Sequence, residues 1–268
     1  MYRTDRASIV GFAAIALSSW LTGSPVFATD QAQGFEQQWP RTDFGQSIID
    51  LGEIGHGGLP RDAIPAIDHP RFVSMDDASE WLYPREPVIA LEMGGEARAY
   101  PIQVLIWHEI VNDVLGAGSV AVTFCPLCNA AIVFERTVEG GLLDFGTTGK
   151  LRHSDLVMYD RQTESWWQQF TGTGIVGHYA GQSLRRIPAS IIAYEDFREA
   201  YPKGRVLSRD TGYGRDYGRN PYRGYDRVGD RPFLLRGTPD PRLPAMQRVL
   251  GISLASTSVA YPLPGLVE

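Results

Sequence analysis

Ser119-Val120-Ala121-Val122-Thr123-Phe124, then Cys125-Pro126-Leu127-Cys128, then Asn129-Ala130-Ala131-Ile132-Val133-Phe134-Glu135: this run is two β-branched and aromatic strands joined by a four-residue turn. Strands this close in sequence pair antiparallel. The only two cysteines of the chain, Cys125 and Cys128, occupy the turn between them.

Upstream, Val88-Ile89-Ala90-Leu91-Glu92 alternates, turns at Gly94-Gly95 and returns as Ala97-Arg98-Ala99-Tyr100, which predicts a hairpin. Pro101 suits a first helical turn. Apolar residues then recur at three- and four-residue spacing from Ile102 to Leu115, with Gly116 as a stop, so the pattern predicts one helix there. Short strands fit Leu142 to Phe145, Leu156 to Tyr159 and Gly174 to His178, and a short helix fits Tyr194 to Tyr201. Eighteen prolines and 29 glycines argue for many turns and against long helices. The expected fold is mainly β (α+β), with antiparallel strands, hairpins and a few short helices.

Val88 to Leu105 aligns without a gap on Val249 to Leu266. The two segments share the first Val, a central Ala-Tyr-Pro and the last Leu, with similar apolar residues at Ile89 and Leu250, Leu91 and Ile252, and Ile102 and Leu263. A duplicated structural unit is expected, its second copy incomplete from 249 where the chain stops at Glu268: either this protein buries that edge differently or it is a truncated relative of longer proteins.

The N-terminus has a short basic start with Arg3 and Arg6, an apolar run from Ala7 to about Gly23, and Ser24-Pro25-Val26-Phe27-Ala28. This is the pattern of a cleavable signal peptide over 1–28, so an extracytoplasmic location, periplasmic or secreted, is expected. No later stretch is apolar enough to span a bilayer, and no transmembrane anchor is expected after cleavage. Residues 29–50 are polar and weakly patterned, which suggests a loosely attached arm ahead of one globular domain over 51–268. A net charge of −6 argues against nucleic-acid binding.

Several separated motifs occur in order: Trp107-His108-Glu109-Ile110-Val111-Asn112-Asp113, Cys125-Pro126-Leu127-Cys128, Gly149-Lys150-Leu151, Met158-Tyr159-Asp160-Arg161-Gln162-Thr163 and Ser165-Trp166-Trp167-Gln168-Gln169. Together they resemble the family known as domain of unknown function 3179, found in exported and membrane-linked prokaryotic proteins. The resemblance covers roughly Gly57 to Leu266 and implies no established activity. Phe124, His153 and Trp166 stand where that family's pattern usually has Tyr, Asn and Leu.

Two cysteines separated by two residues can close a disulfide, exchange disulfides with a redox partner, or offer two thiolates to a metal. A disulfide across so short a loop gains only about 2 kcal/mol in chain entropy, which is a weak reason to place the pair there. A thioredoxin-type site needs a helix start after the first cysteine, and strand-like residues follow here. Half a zinc-ribbon knuckle fits the turn, with no second cysteine pair to complete it. His108, on the inward face of the expected helix, is then the leading third ligand. Met158, in an apolar strand, is either a fourth ligand or core. Thiolates with imidazole and methionine suit copper; thiolates with imidazole and water or a carboxylate suit zinc. In the exchange alternative, Cys125, expected as the more exposed thiol, attacks and Cys128 resolves. A third alternative is a non-catalytic structural or glycan-binding protein with a structural disulfide.

Two further segments carry weaker signals. Asp160, Arg161 and Trp167 lie in a run of charges, amides and indoles that either binds a glycan or forms a structural turn. Tyr217 and Arg219 lie in a segment of tyrosines, arginines and glycines that either lines an anionic-ligand pocket or forms an ordered loop. His56, His69 and His178 have no paired ligand spacing.

Overall fold

The computed structural model describes residues 34–235, 237–254 and 257–266. The expected signal peptide, 1–28, lies outside the described residues. No helix among them is long and apolar enough to cross a membrane.

The fold is mainly β, as expected, and its strands form three principal sheets. Strands β5 (Ile110–Leu115), β6 (Gly118–Cys125), β7 (Ala130–Glu135) and β14 (Arg186–Ile187) make one, in the order β14-β7-β6-β5. A second holds β1 (Ile54–His56), β10 (Phe145–Arg152), β11 (Asp155–Asp160), β12 (Trp166–Gln168) and β13 (Thr173–Val176) in that order. The third, in the order β15-β3-β4-β16-β2, holds β2 (Phe72–Val73), β3 (Pro87–Met93), β4 (Glu96–Pro101), β15 (Ser190–Ala193) and β16 (Arg205–Leu207), and β8 (Thr137–Val138) pairs with β9 (Gly141–Leu142) in a small hairpin.

Side-chain alternation shows how the sheets stack. On β6, Val120, Val122 and Phe124 join a core with Ile89, Leu91 and Tyr100 of the third sheet. Ala121 and Cys125, one residue out of phase, join Phe145, Leu156, Met158 and Trp167 of the second. The β5-β6-β7 sheet is therefore a central layer covered on both faces. The outer face of the second sheet is closed by residues ahead of the family-like region: Phe35, Trp39 and Phe44 pack on Val157, Tyr159 and Trp166. From residue 34 on, then, the segment expected as a loose arm contributes α1 (34–38) and buries its aromatic residues. Its polar residues mask an apolar minority that docks. The third sheet is covered by α2 (Met75–Ser79) and α4 (Tyr194–Ala200), through Ala78, Tyr194 and Phe197.

The single helix expected over Ile102 to Leu115 is not formed. Helix α3 covers only Ile102–Leu105, and a turn leads to strand β5. Glu109 adopts a φ of 59°, which no helix accommodates, and the Ile110 N–H bonds to the His108 carbonyl. Because β5 lies in the doubly covered layer, five of its six residues are buried, so it lacks the period-two alternation that marks a strand with one wet face.

The two aligned segments, expected as copies of one unit, form hairpins of matching register. In the first, Val88 pairs with Pro101, Ile89 with Tyr100 and Leu91 with Arg98. In the second, made of β17 (Val249–Leu254) and β18 (Thr257–Pro262), Val249 pairs with Pro262, Leu250 with Tyr261 and Ile252 with Val259. Each hairpin is followed by a short helical turn, α3 in one case and a 3-10 turn over Leu263–Leu266 in the other. The copies differ in cover. Val88, Ile89 and Leu91 are buried, whereas Val249, Leu250 and Ile252 are exposed, and among the described residues β17 pairs with β18 alone.

Candidate functional site

The turn at Cys125 to Cys128 sits where the central sheet meets the second sheet. Cys125 ends β6 on the face directed at the second sheet, and that face carries it into the core. Asn129, with a φ of 49°, then turns the chain into β7. Across the interface, His153 and Ser154 both have positive φ, at 53° and 64°, and make the tight turn from β10 to β11. That turn brings Asp155, the first residue of β11, to the cysteines. Three left-handed non-glycine residues thus shape the two turns that form the site, a cost borne commonly at functional positions.

Ligand atoms of Cys125, Cys128 and Asp155 all lie within 4.8 Å of one another. Both cysteines are free thiols; Cys125 is buried and Cys128 exposed. The Cys128 Sγ–H donates to Asp155 Oδ1 at 3.2 Å, and Cys125 Sγ lies 3.9 Å from the Ser154 carbonyl oxygen. The other Asp155 oxygen accepts from the Phe170 N–H at 2.9 Å and from the Gln168 side-chain amide.

The electrostatics of this corner are those of crowded acids. The Cys125 thiol beside it, burial and the Asp155 carboxylate push the Cys128 thiol well up. Burial raises Asp155. Burial and Asp155 push Glu109 up to about 8. Burial, Glu109 and Cys125 raise the Tyr222 phenol. Among the described residues, the charged neighbours acting on Glu109, Cys128 and Tyr222 are all acids, with no cation among them.

A strap from the loop-rich C-terminal third lies over the turn. Tyr225 Oη donates to the Leu127 carbonyl at 3.0 Å and accepts from the Phe233 N–H at 3.2 Å, while Ser154 Oγ donates to the Phe233 carbonyl at 2.7 Å. Both turns of the site are thereby tied to one loop.

The residues expected at the site from sequence divide between this corner and other places. Cys125 and Cys128 are together, and the group they form with Asp155 does not include His108. His108 is buried, but in the turn before β5, where Nδ1 contacts the Pro65 carbonyl at 2.7 Å and Nε2 contacts Tyr217 Oη at 2.6 Å, so both ring nitrogens are engaged. Met158 is fully buried in the core between the sheets. The expected order of exposure of the two thiols is reversed, because alternation on β6 carries Cys125 inward.

Asp160 is buried and accepts from the Thr163 N–H at 2.6 Å and from Trp167 Nε1 at 2.9 Å, which closes a turn. Arg161 pairs with Asp68 at 2.6 Å. Trp166 and Trp167 are both fully buried, so neither offers a stacking face to a sugar. Arg219 is exposed beside Asp216 at 3.7 Å, and Tyr217 is spent on His108 and Thr211. A cavity of about 610 Å3 lined by Phe72, Arg98, Tyr201, Lys203 and Arg205 lies at the edge of the third sheet and contains none of the cysteine-site residues.

Asp155, Glu109, Tyr222 and Tyr225 were not legible as site residues. Glu109 is in the Trp107 to Asp113 motif and the tyrosines in the arginine-rich segment, but Asp155 carries no local signal: only pairing of β10 with β11 brings it to the cysteines.

This corner defines a two-cysteine, one-carboxylate centre on a stack of antiparallel sheets. Residues 61–268 match the family described as a protein of unknown function, DUF3179, and the chain belongs to that family. No curated protein and no solved structure matches the chain.

Proposed function

We propose that this protein is an extracytoplasmic metal-binding protein whose centre is formed by Cys125, Cys128 and Asp155, with zinc as its ion. The observation that carries this reading is the convergence of two thiols and a carboxylate within 4.8 Å, beside the buried Glu109, with only acids acting on one another. Buried like charges without a partner are costly, and a divalent cation is the simplest charge that removes the cost. A tetrahedral zinc with Zn–S near 2.3 Å spaces its donors about 3.5–4 Å apart, so small side-chain rotations close the set. The oxygen donor favours zinc over copper(I), for which soft ligands are preferred. Three protein ligands leave a fourth position for water or substrate, the arrangement of catalytic rather than purely structural zinc.

The test is elemental analysis of protein exported without chelator. Near-stoichiometric zinc that falls away in Cys125→Ser, Cys128→Ser and Asp155→Asn but persists in His108→Ala supports the reading. Metal-free protein from zinc-replete culture overturns it.

A second reading, thiol-disulfide exchange, is favoured by the unequal exposure of two free thiols. The exposed Cys128 would attack and the buried Cys125 would resolve. Cys125→Ser should then trap mixed disulfides through Cys128; a metal centre predicts none.

A further inference from the structure

Two arginines stand side by side at the edge of the third sheet. Strand β16 runs parallel to β4, and the register sets Arg205 directly beside Arg98 and Val206 beside Ala99. Cross-strand neighbours in one sheet project to the same side, with backbones only about 4.8 Å apart, so like charges in register repel. Both arginines line the cavity of about 610 Å3 at this edge, and Lys203, in the turn that leads from α4 into β16, lines it as well. Three cations therefore face one opening in a chain whose net charge is −6.

The nearby acids balance only one of them. Arg98 is satisfied: it pairs with Asp113 at 2.5 Å, donates to the Val114 carbonyl at 2.8 Å and stands 3.9 Å from Glu96. Arg205 donates to the Phe72 carbonyl at 2.9 Å, and among the described residues neither it nor Lys203 forms an ion pair with a carboxylate. Asp77 feels the charge of Arg205 as the least of its influences, and its Oδ2 is held by the Ser74 hydroxyl at 2.6 Å. The other walls are apolar: Ala97, Pro202, Tyr201 and the Phe72 ring, whose centre lies 4.2 Å from the Arg98 guanidinium carbon. A cavity of this size suits a small molecule, with apolar walls for its body and a few polar groups to orient it.

We infer that this cavity binds a small organic anion, its oxyanion head held by Arg205 and Lys203 and its aromatic body lying against Phe72 and Tyr201. An oxyanion beside the two arginines replaces their repulsion with charge-assisted hydrogen bonds, and a guanidinium fork fits carboxylate and phosphate alike. No residue of the cysteine corner lines the cavity, so the site stands independently of any metal there.

The test titrates phenyl phosphate, benzoate, benzamide and inorganic phosphate separately into the 15N-labelled full chain. Backbone amide shifts then report affinity and place together. Phenyl phosphate or benzoate should give saturable shifts centred on Ala97, Arg98 and Lys203 to Arg205. Benzamide, which lacks the charge, and inorganic phosphate, which lacks the ring, should bind at least about tenfold more weakly. Lys203→Gln, at an exposed residue without an ion pair among the described residues, should weaken the tighter anion at least about fivefold, and Arg205→Gln about tenfold. Cys125→Ser should leave its affinity unchanged. Several results would each overturn the assignment: no saturable binding of either aromatic anion, shifts centred elsewhere, benzamide or inorganic phosphate binding as tightly, or unaltered affinity in both cation variants.

Discussion

Cys128 Sγ and Asp155 Oδ1 meet at 3.2 Å although 27 residues separate them in the chain, and nearly every side chain of the candidate site is arranged around that contact. The contact exists because β6 ends, and β11 begins, at the same edge of the interface between two stacked sheets.

Asp155→Asn should keep the volume and both amide-facing hydrogen bonds of the site approximately intact while removing the charge. If Asp155 is a ligand, zinc affinity falls by at least tenfold, measured by competition with a chromophoric chelator; an unchanged affinity leaves only the cysteines as ligands.

Glu109 gives a pH signature. Its carboxyl is pushed up to about 8 in the folded protein from an ordinary 4.5, so between these values the folded state holds a proton that the unfolded state has lost. Metal-free stability should therefore fall as pH rises from about 4.5 to 8 and level off above, by a few kcal/mol. Glu109→Gln should flatten that slope and make the metal-free protein more stable at pH 8. Urea denaturation of both proteins at pH 5 and 8 checks this, and identical slopes would sink it.

Zinc loading should show the opposite pH trend. The Cys128 thiol is pushed up by its neighbours, and a metal must displace its proton, so affinity rises steeply with pH across the neutral range. Proton release measured during zinc titration in two buffers of different ionisation enthalpy reads the effect directly.

Tyr225→Phe removes the hydroxyl that joins Leu127 to Phe233. A loss of about 1 kcal/mol in stability is expected, together with faster alkylation of Cys128 as the strap loosens. Unchanged alkylation would mean that the strap does not guard the thiol.

Gly149→Ala tests the β10 backbone. Gly149 has a φ of 69°, and an added Cβ would lie 2.1 Å from the Leu59 carbonyl oxygen, a backbone atom that cannot swing aside. Destabilisation above about 3 kcal/mol is expected in denaturant titrations.

The strands flanking the cysteine turn, the first hairpin and the α4 helix were legible because each follows a local rule: β-branched content, a Gly-Gly turn, or helical spacing. Strand β5 was not. Ile110, Val111 and Leu115 satisfy a helical spacing by accident, and burial on both faces erased the alternation that would have corrected it. The error carried His108 with it, since an inward position on a helix and an inward position in a turn face different neighbours. Trp39 and Phe44 were hidden for a different reason: two aromatic residues among polar ones give no period, and their role depends wholly on a sheet formed more than a hundred residues later. Asp155 is the purest case, because its place at the thiols is a property of strand pairing and sheet stacking alone.

The second hairpin repeats the register of the first while leaving uncovered the apolar residues that the first one buries. Val249, Leu250, Ile252 and Leu254 are exposed on β17, which among the described residues has one bonded neighbour, β18. Uncovered apolar strand edges pair with one another, so association of this protein should rise with its concentration. The hairpin that echoes the first in register would then help to set the concentration at which its molecules stop behaving as strangers.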